Sequence, residues 1–169
     1  MRKSIIAILM TFCLSIMTYA QTPRDRATEL KEQAQSSLNQ KDYIKARYLF
    51  KKAYEAFATR ENYPQAIECG VQANALYVRE NFYKEGFELC RDMDQLIWAG
   101  EQNQKKVFYD LRFLVNKERL QMYTALKNPA QAKTQLNKLE ETANLAKNDS
   151  LTEVLLYTKA NYYYTFNQN

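Results

Sequence analysis

The chain has 169 residues, 46% of them hydrophobic, with three Gly, three Pro and no His. Its 24 Lys and Arg against 19 Asp and Glu give a formal net charge of +5, mild and interspersed, which argues against a nucleic-acid surface. The lack of His excludes Ser-His-Asp and Cys-His catalysis and every His-containing zinc or di-iron site, and no glycine-rich loop is present to cradle a phosphate. We expect no cofactor, no metal and no enzymatic activity. The scarcity of Gly and Pro predicts a nearly all-α chain of one domain.

The first element, "MRKSIIAILMTFCLSIMTYA", has a basic start at Arg2 and Lys3, an apolar run from Ile5 to Met17 and a small residue at Ala20. That pattern predicts a secretory signal peptide over residues 1–20, cleaved to leave Gln21 as the mature N-terminus. The apolar run falls short of the ~20 residues needed to span a membrane. A periplasmic or otherwise exported location is expected, with no membrane span in the mature chain. Cys13 lies within the apolar run and is preceded by Thr11 and Phe12, which does not suit lipidation. Removal of Arg2 and Lys3 lowers the formal charge by two units, to +3.

The mature part, residues 21–169, reads as helices at about 24–39, 42–59, 63–79, 82–99, 102–127, 129–147 and 150–166. Asp42, Asn62, Asn81, Asn128 and Ser150 each precede an apolar-periodic run and are candidate N-caps. Pro129 suits a first helical position, and Gly100 suits a helix end. Short joints make neighbouring helices antiparallel.

Every second helix carries apolar or small residues at i, i+4, i+7 and i+11. These are Ala46, Phe50, Ala53 and Phe57; then Gly86, Cys90, Met93 and Ile97; then Ala132, Leu136, Leu139 and Ala143. Each set begins with a residue small enough for a neighbouring backbone to approach. A register kept three times marks a repeated helical hairpin. The hairpins are expected at about 24–59, 63–99 and 102–147, followed by an unpaired helix at about 150–166.

At these residues the chain resembles the tetratricopeptide repeat family, whose unit is a helical hairpin of about 34 residues. Ala46, Phe50 and Ala53 match the second-helix part of that motif, and Leu30 and Ala34 match the first-helix part. "LLYTKANYYYTF" is similar to a first helix, with Leu156, Ala160 and Tyr163 in the apolar places. The middle units depart from the pattern: Gly86 and Cys90 replace the usual Ala and bulky aromatic, and a helix over 102–127 exceeds a standard unit. The resemblance implies an all-α, tetratricopeptide-like solenoid of about seven helices, with a generic helical solenoid as the alternative.

The same resemblance implies a concave face, lined by first helices, that binds a peptide, a protein or an extended ligand. Carried over residue by residue, its groove positions are Lys31 and Gln35, then Gln72, then Lys117 and Gln121, then Tyr157, Asn161 and Tyr164. The last three form one helical stripe in which two aromatic rings flank an amide; the alternative is that the tyrosines pack against a further helix.

Tetratricopeptide-like exported regions with a Tyr/Asn/Lys-rich composition also resemble the periplasmic sensing part of bacterial membrane histidine kinases and related regulators. The resemblance implies a sensor module, or a fragment of one, whose partner is a membrane signalling protein or a missing C-terminal part. A free-standing periplasmic protein–protein scaffold is the alternative.

Three smaller features allow two readings each. Cys69 and Cys90 fall at similar heights on the third and fourth helices, and form either a disulfide or two small core hydrophobes. Glu88 and Asp92 are an i, i+4 carboxylate pair beside Arg91, either an acid–base pair or solvated surface charge. "NDSL" at Asn148–Leu151 resembles a short bacterial O-glycosylation motif, and also reads as a capping box of Ser150 with Glu153.

Overall fold

The computed structural model describes residues 25–167, and the expected signal peptide with its cleavage at Gln21 lies outside them. Seven α-helices make up the described residues: α1 (Arg26–Asn39), α2 (Tyr43–Thr59), α3 (Tyr63–Arg79), α4 (Tyr83–Gln104), α5 (Tyr109–Ala125), α6 (Pro129–Ala146) and α7 (Asp149–Phe166). Each packs on the next, and α5 also touches both α3 and α7. None of the described helices is long and apolar enough to cross a membrane.

The repeated register is buried throughout. All twelve residues of the three stripes, from Ala46 to Ala143, are inside. Ala46 has no exposed surface, so Ala46→Leu forces extra atoms into a filled space and is expected to cost about 1–3 kcal/mol. The same change at exposed Lys45 is expected to leave the melting temperature unchanged, and equal losses at both positions would show that the packing is not tight there.

Four of the joints share one backbone motif that uses no glycine. Lys41, Glu61, Asn81 and Lys127 adopt left-handed conformations, with φ of 63°, 56°, 62° and 53°. The amide after each donates back across the turn: Asp42 to Ser37, Asn62 to Phe57, Phe82 to Tyr77 and Asn128 to Tyr123, at 2.9–3.0 Å. This closure satisfies the orphan carbonyls of one helix with the residue that begins the next. Three of those residues also cap with their side chains: Asp42 accepts from the Lys45 amide at 3.2 Å, Asn62 from Gln65 at 3.4 Å and Asn128 from Gln131 at 3.1 Å. Since a side-chain-bearing residue costs about 1–2 kcal/mol in this conformation, Lys127→Gly is expected to raise stability by about 1 kcal/mol in chemical denaturation. A loss of stability would mean that the Lys127 side chain contributes more than its backbone costs.

Two of the expected caps are displaced. Asn81 occupies the left-handed position itself and accepts the Tyr83 hydroxyl at 2.8 Å, while Phe82 starts α4 without a side-chain cap. At α7 the cap is Asn148, accepting from the Ser150 amide at 3.0 Å, in place of the Ser150 box.

Gly100 does not end a helix. α4 runs on to Gln104 and stops at Lys105 (φ 50°), so α5 is an ordinary 17-residue helix and not the long one expected over 102–127. The glycine serves packing: a Cβ there would lie 2.9 Å from the Phe108 ring and 3.0 Å from the Tyr63 ring, which pack at 5.8 Å centroid separation.

Two apolar clusters form the core, and α5 contributes to both. Leu111, Val115 and Met122 join the cluster built by α1–α4, whereas Phe113 and Leu120 join α6 and α7. On the first of those faces Glu118 is buried among the apolar residues, and its Oε2 accepts from Asn74 Nδ2 of α3 at 3.0 Å. Asn74 Oδ1 lacks a partner.

Candidate functional site

The residues that bring α5 and α7 face to face form a groove of about 420 Å³. α5 supplies Lys117, Gln121 and Thr124, one stripe at i, i+4 and i+7; α7 supplies Val154, Tyr157, Thr158 and Asn161, the facing stripe. The floor is apolar, made by buried Leu120 and Tyr162. Thr158 donates its hydroxyl to the Val154 carbonyl at 2.7 Å, and the amides of Gln121 and Asn161 each offer a ligand backbone both a donor and an acceptor. Lys117 is the one cation in the lining, and no carboxylate accompanies it.

Four of the eight residues expected at a groove are therefore brought together: Lys117, Gln121, Tyr157 and Asn161. Tyr164 is 70% exposed but lies beyond the lining. Outside the groove, the Lys31 ammonium is held by Gln65 Oε1 and Glu68 Oε2, each at 2.8 Å, and ties α1 to α3. Gln35 donates to Asn39 on its own helix at 3.1 Å, and Gln72 is exposed on α3; neither lines the groove. The sequence reading missed Leu120, Thr124, Ala125, Val154, Thr158 and Tyr162. Extending the two stripes by one turn would have found Thr124 and Val154.

The phase of α7 differs from expectation. Leu155 and Tyr162 are the buried residues, whereas Leu156 is 62% exposed and Ala160 and Tyr163 are exposed too. With "LLY" and "YYY" offering an apolar residue at every angle, hydrophobicity alone does not fix which one turns inward.

Cys69 and Cys90 are both buried and free, which is the second of their two readings, small core residues with no bridge between them. Their surroundings differ: Cys69 feels the charges of Lys31 and Glu68, while Cys90 feels those of Arg119, Glu118 and Asp94. Burial pushes Cys69 up to about 11 and Cys90 up to about 12, so both stay protonated at neutral pH and act as core hydrophobes. Glu88 and Asp92 are exposed, with Arg91 Nε 3.9 Å from Asp92. Among the described residues no group of His, Cys, Asp and Glu could hold a metal ion.

No protein-family model, curated protein or solved structure matches the chain.

Proposed function

We propose that the chain is an exported, tetratricopeptide-like binding module whose α5–α7 groove takes an extended peptide. The observation that supports this is the groove itself, an apolar floor flanked by two amides and an exposed tyrosine. Each amide can pair with a peptide N–H and C=O while apolar ligand side chains meet Leu120 and Tyr162. The sensor reading, in which the bound state is passed to a membrane signalling protein, rests on the signal-like leader and on the resemblance of the repeats.

The test is a peptide-array screen followed by calorimetry on the best sequences. Asn161→Ala is expected to weaken binding by about 1–3 kcal/mol, the penalty for an unpaired polar group in the complex, with unchanged helix content. Equal affinity in wild type and variant, or no bound peptide at all, would remove the groove assignment. Terminal sequencing of the secreted chain should begin at Gln21; an intact Met1 in the cytosol would end the export argument.

A further inference from the structure

A second groove, about 460 Å³, lies on another face of α5, between α4 and α6. Seven of its eleven lining residues are polar or charged, and among the others is Trp98, the chain's only tryptophan, 62% exposed. An exposed tryptophan beside so many polar groups differs in character from the apolar floor of the α5–α7 groove.

Three cations and two carboxylates line this groove, and buried Glu101 behind Arg112 completes the balance. Arg112 donates Nε to Glu101 Oε1 at 2.7 Å and Nη2 to Oε2, and buried Glu101 is further fixed by the Phe108 amide at 2.9 Å. The Arg112 hydrogen bonds hold the Glu101 carboxyl below its ordinary range. Arg119 donates to Asp94 and, at 3.0 Å, to the Cys90 carbonyl. Lys138 and Glu141 on α6 balance each other in sign. A phosphorylated ligand or a nucleic acid would meet no surplus of positive charge, and burying an uncompensated ion is costly.

What remains is a mixture of fixed donors and acceptors. The two held guanidinium groups retain free N–H donors, Glu141 can only accept, and Asn116 can do both. A proline-rich peptide prefers an aromatic-lined apolar channel, which this groove is not. A sugar ring fits both halves of the description: its C–H face covers an exposed aromatic ring, and its hydroxyls donate and accept at once. The volume lies within the range of small-ligand sites.

We propose that the α4–α5–α6 groove is a second binding site, for an uncharged oligosaccharide stacked on Trp98 and hydrogen-bonded by Asn116, Glu141 and the held guanidinium groups. Because Trp98 is the only tryptophan, its emission reports on this groove alone. The full chain is titrated with maltohexaose, cellohexaose, laminarihexaose, xylohexaose and mannohexaose, with calorimetry in parallel. At least one should give a saturating emission change, and Asn116→Ala and Glu141→Ala should each weaken that binding roughly tenfold or more. Tyr157→Ala, in the other groove, should leave it unchanged. Lack of saturation by all five at millimolar concentration, undiminished binding in both α4–α5–α6 groove variants, or an emission change produced by neutral peptides and by none of the sugars would each overturn the proposal. Circular dichroism on every variant separates lost binding from lost folding.

Discussion

Phe113→Ala is expected to cost about 3–5 kcal/mol and to loosen α5–α7 before the rest of the chain. Phe113 has no exposed surface and belongs to the cluster made with Leu136, Leu139, Leu155 and Tyr162, so its removal leaves a cavity that rigid helices fill only in part. The larger cluster, from α1 to α4, does not include Phe113 and depends on α5 through Leu111, Val115 and Met122. Hydrogen exchange should then show the amides of α6 and α7 losing protection at lower denaturant than those of α2 and α3. Peptide binding should fall with α6–α7 protection, because the groove floor is built from this same cluster. A uniform loss of protection across all seven helices would show that the two clusters form one cooperative unit.

The parts of the fold that were legible in the sequence are those where one side chain decides the outcome. At Ala46, Gly86 and Ala132 a small residue heads each stripe, and only one helix phase buries all four members. Caps at Asp42, Asn62 and Asn128 were legible for the same reason, since a single short polar side chain meets a free amide. The left-handed joints were not: Lys41, Glu61 and Lys127 carry no local signal for that conformation, which is imposed by the next helix starting at once. Gly100 misled because glycine's missing side chain permits both a turn and a close contact, and only the Tyr63 and Phe108 rings distinguish them.

The groove divides in the same way. Lys117, Gln121, Tyr157 and Asn161 converge because α5 and α7 pack directly, so matching stripes on two helices were enough to find them. Lys31 does not join them, and its spacing says nothing about Gln65 and Glu68, which reach it from α3. Glu118 was legible and overlooked: Leu111, Val115, Glu118 and Met122 repeat the offsets i, i+4, i+7 and i+11, which places a carboxyl on a buried stripe.

That carboxyl carries the second large expected effect, a stability that falls as pH rises and is rescued by one substitution. Burial, opposed by the Asn74 hydrogen bond and the charge of Lys117, holds the Glu118 pKa above its ordinary 4.5. A folded-state pKa raised in this way favours the protonated form, so its stabilisation is complete below the ordinary carboxylate range and is lost as pH climbs through the raised value. Glu101 works in the opposite sense and in a lower window. Its pKa is depressed by Arg112, so its contribution is present above the ordinary value and fades only as pH falls through the depressed one. Of these two carboxyls only Glu118 gives a decline as pH rises, and the raised Cys69 and Cys90 thiols add theirs only above their ordinary value of 9. Glu118→Gln should flatten the Glu118 decline and raise stability at the alkaline end by about 1–3 kcal/mol, because the new amide is neutral and can donate to the unpartnered Asn74 Oδ1 while still accepting from Nδ2. Glu118→Ala should instead lower stability by about 2 kcal/mol at pH 5, leaving a void and an unpaired Asn74 amide. The measurement is urea unfolding of the three proteins from pH 4 to pH 8.5. An alkaline slope that survives in Glu118→Gln would assign the pH dependence to another group and leave Glu118 as an ordinary buried acid with no part in it.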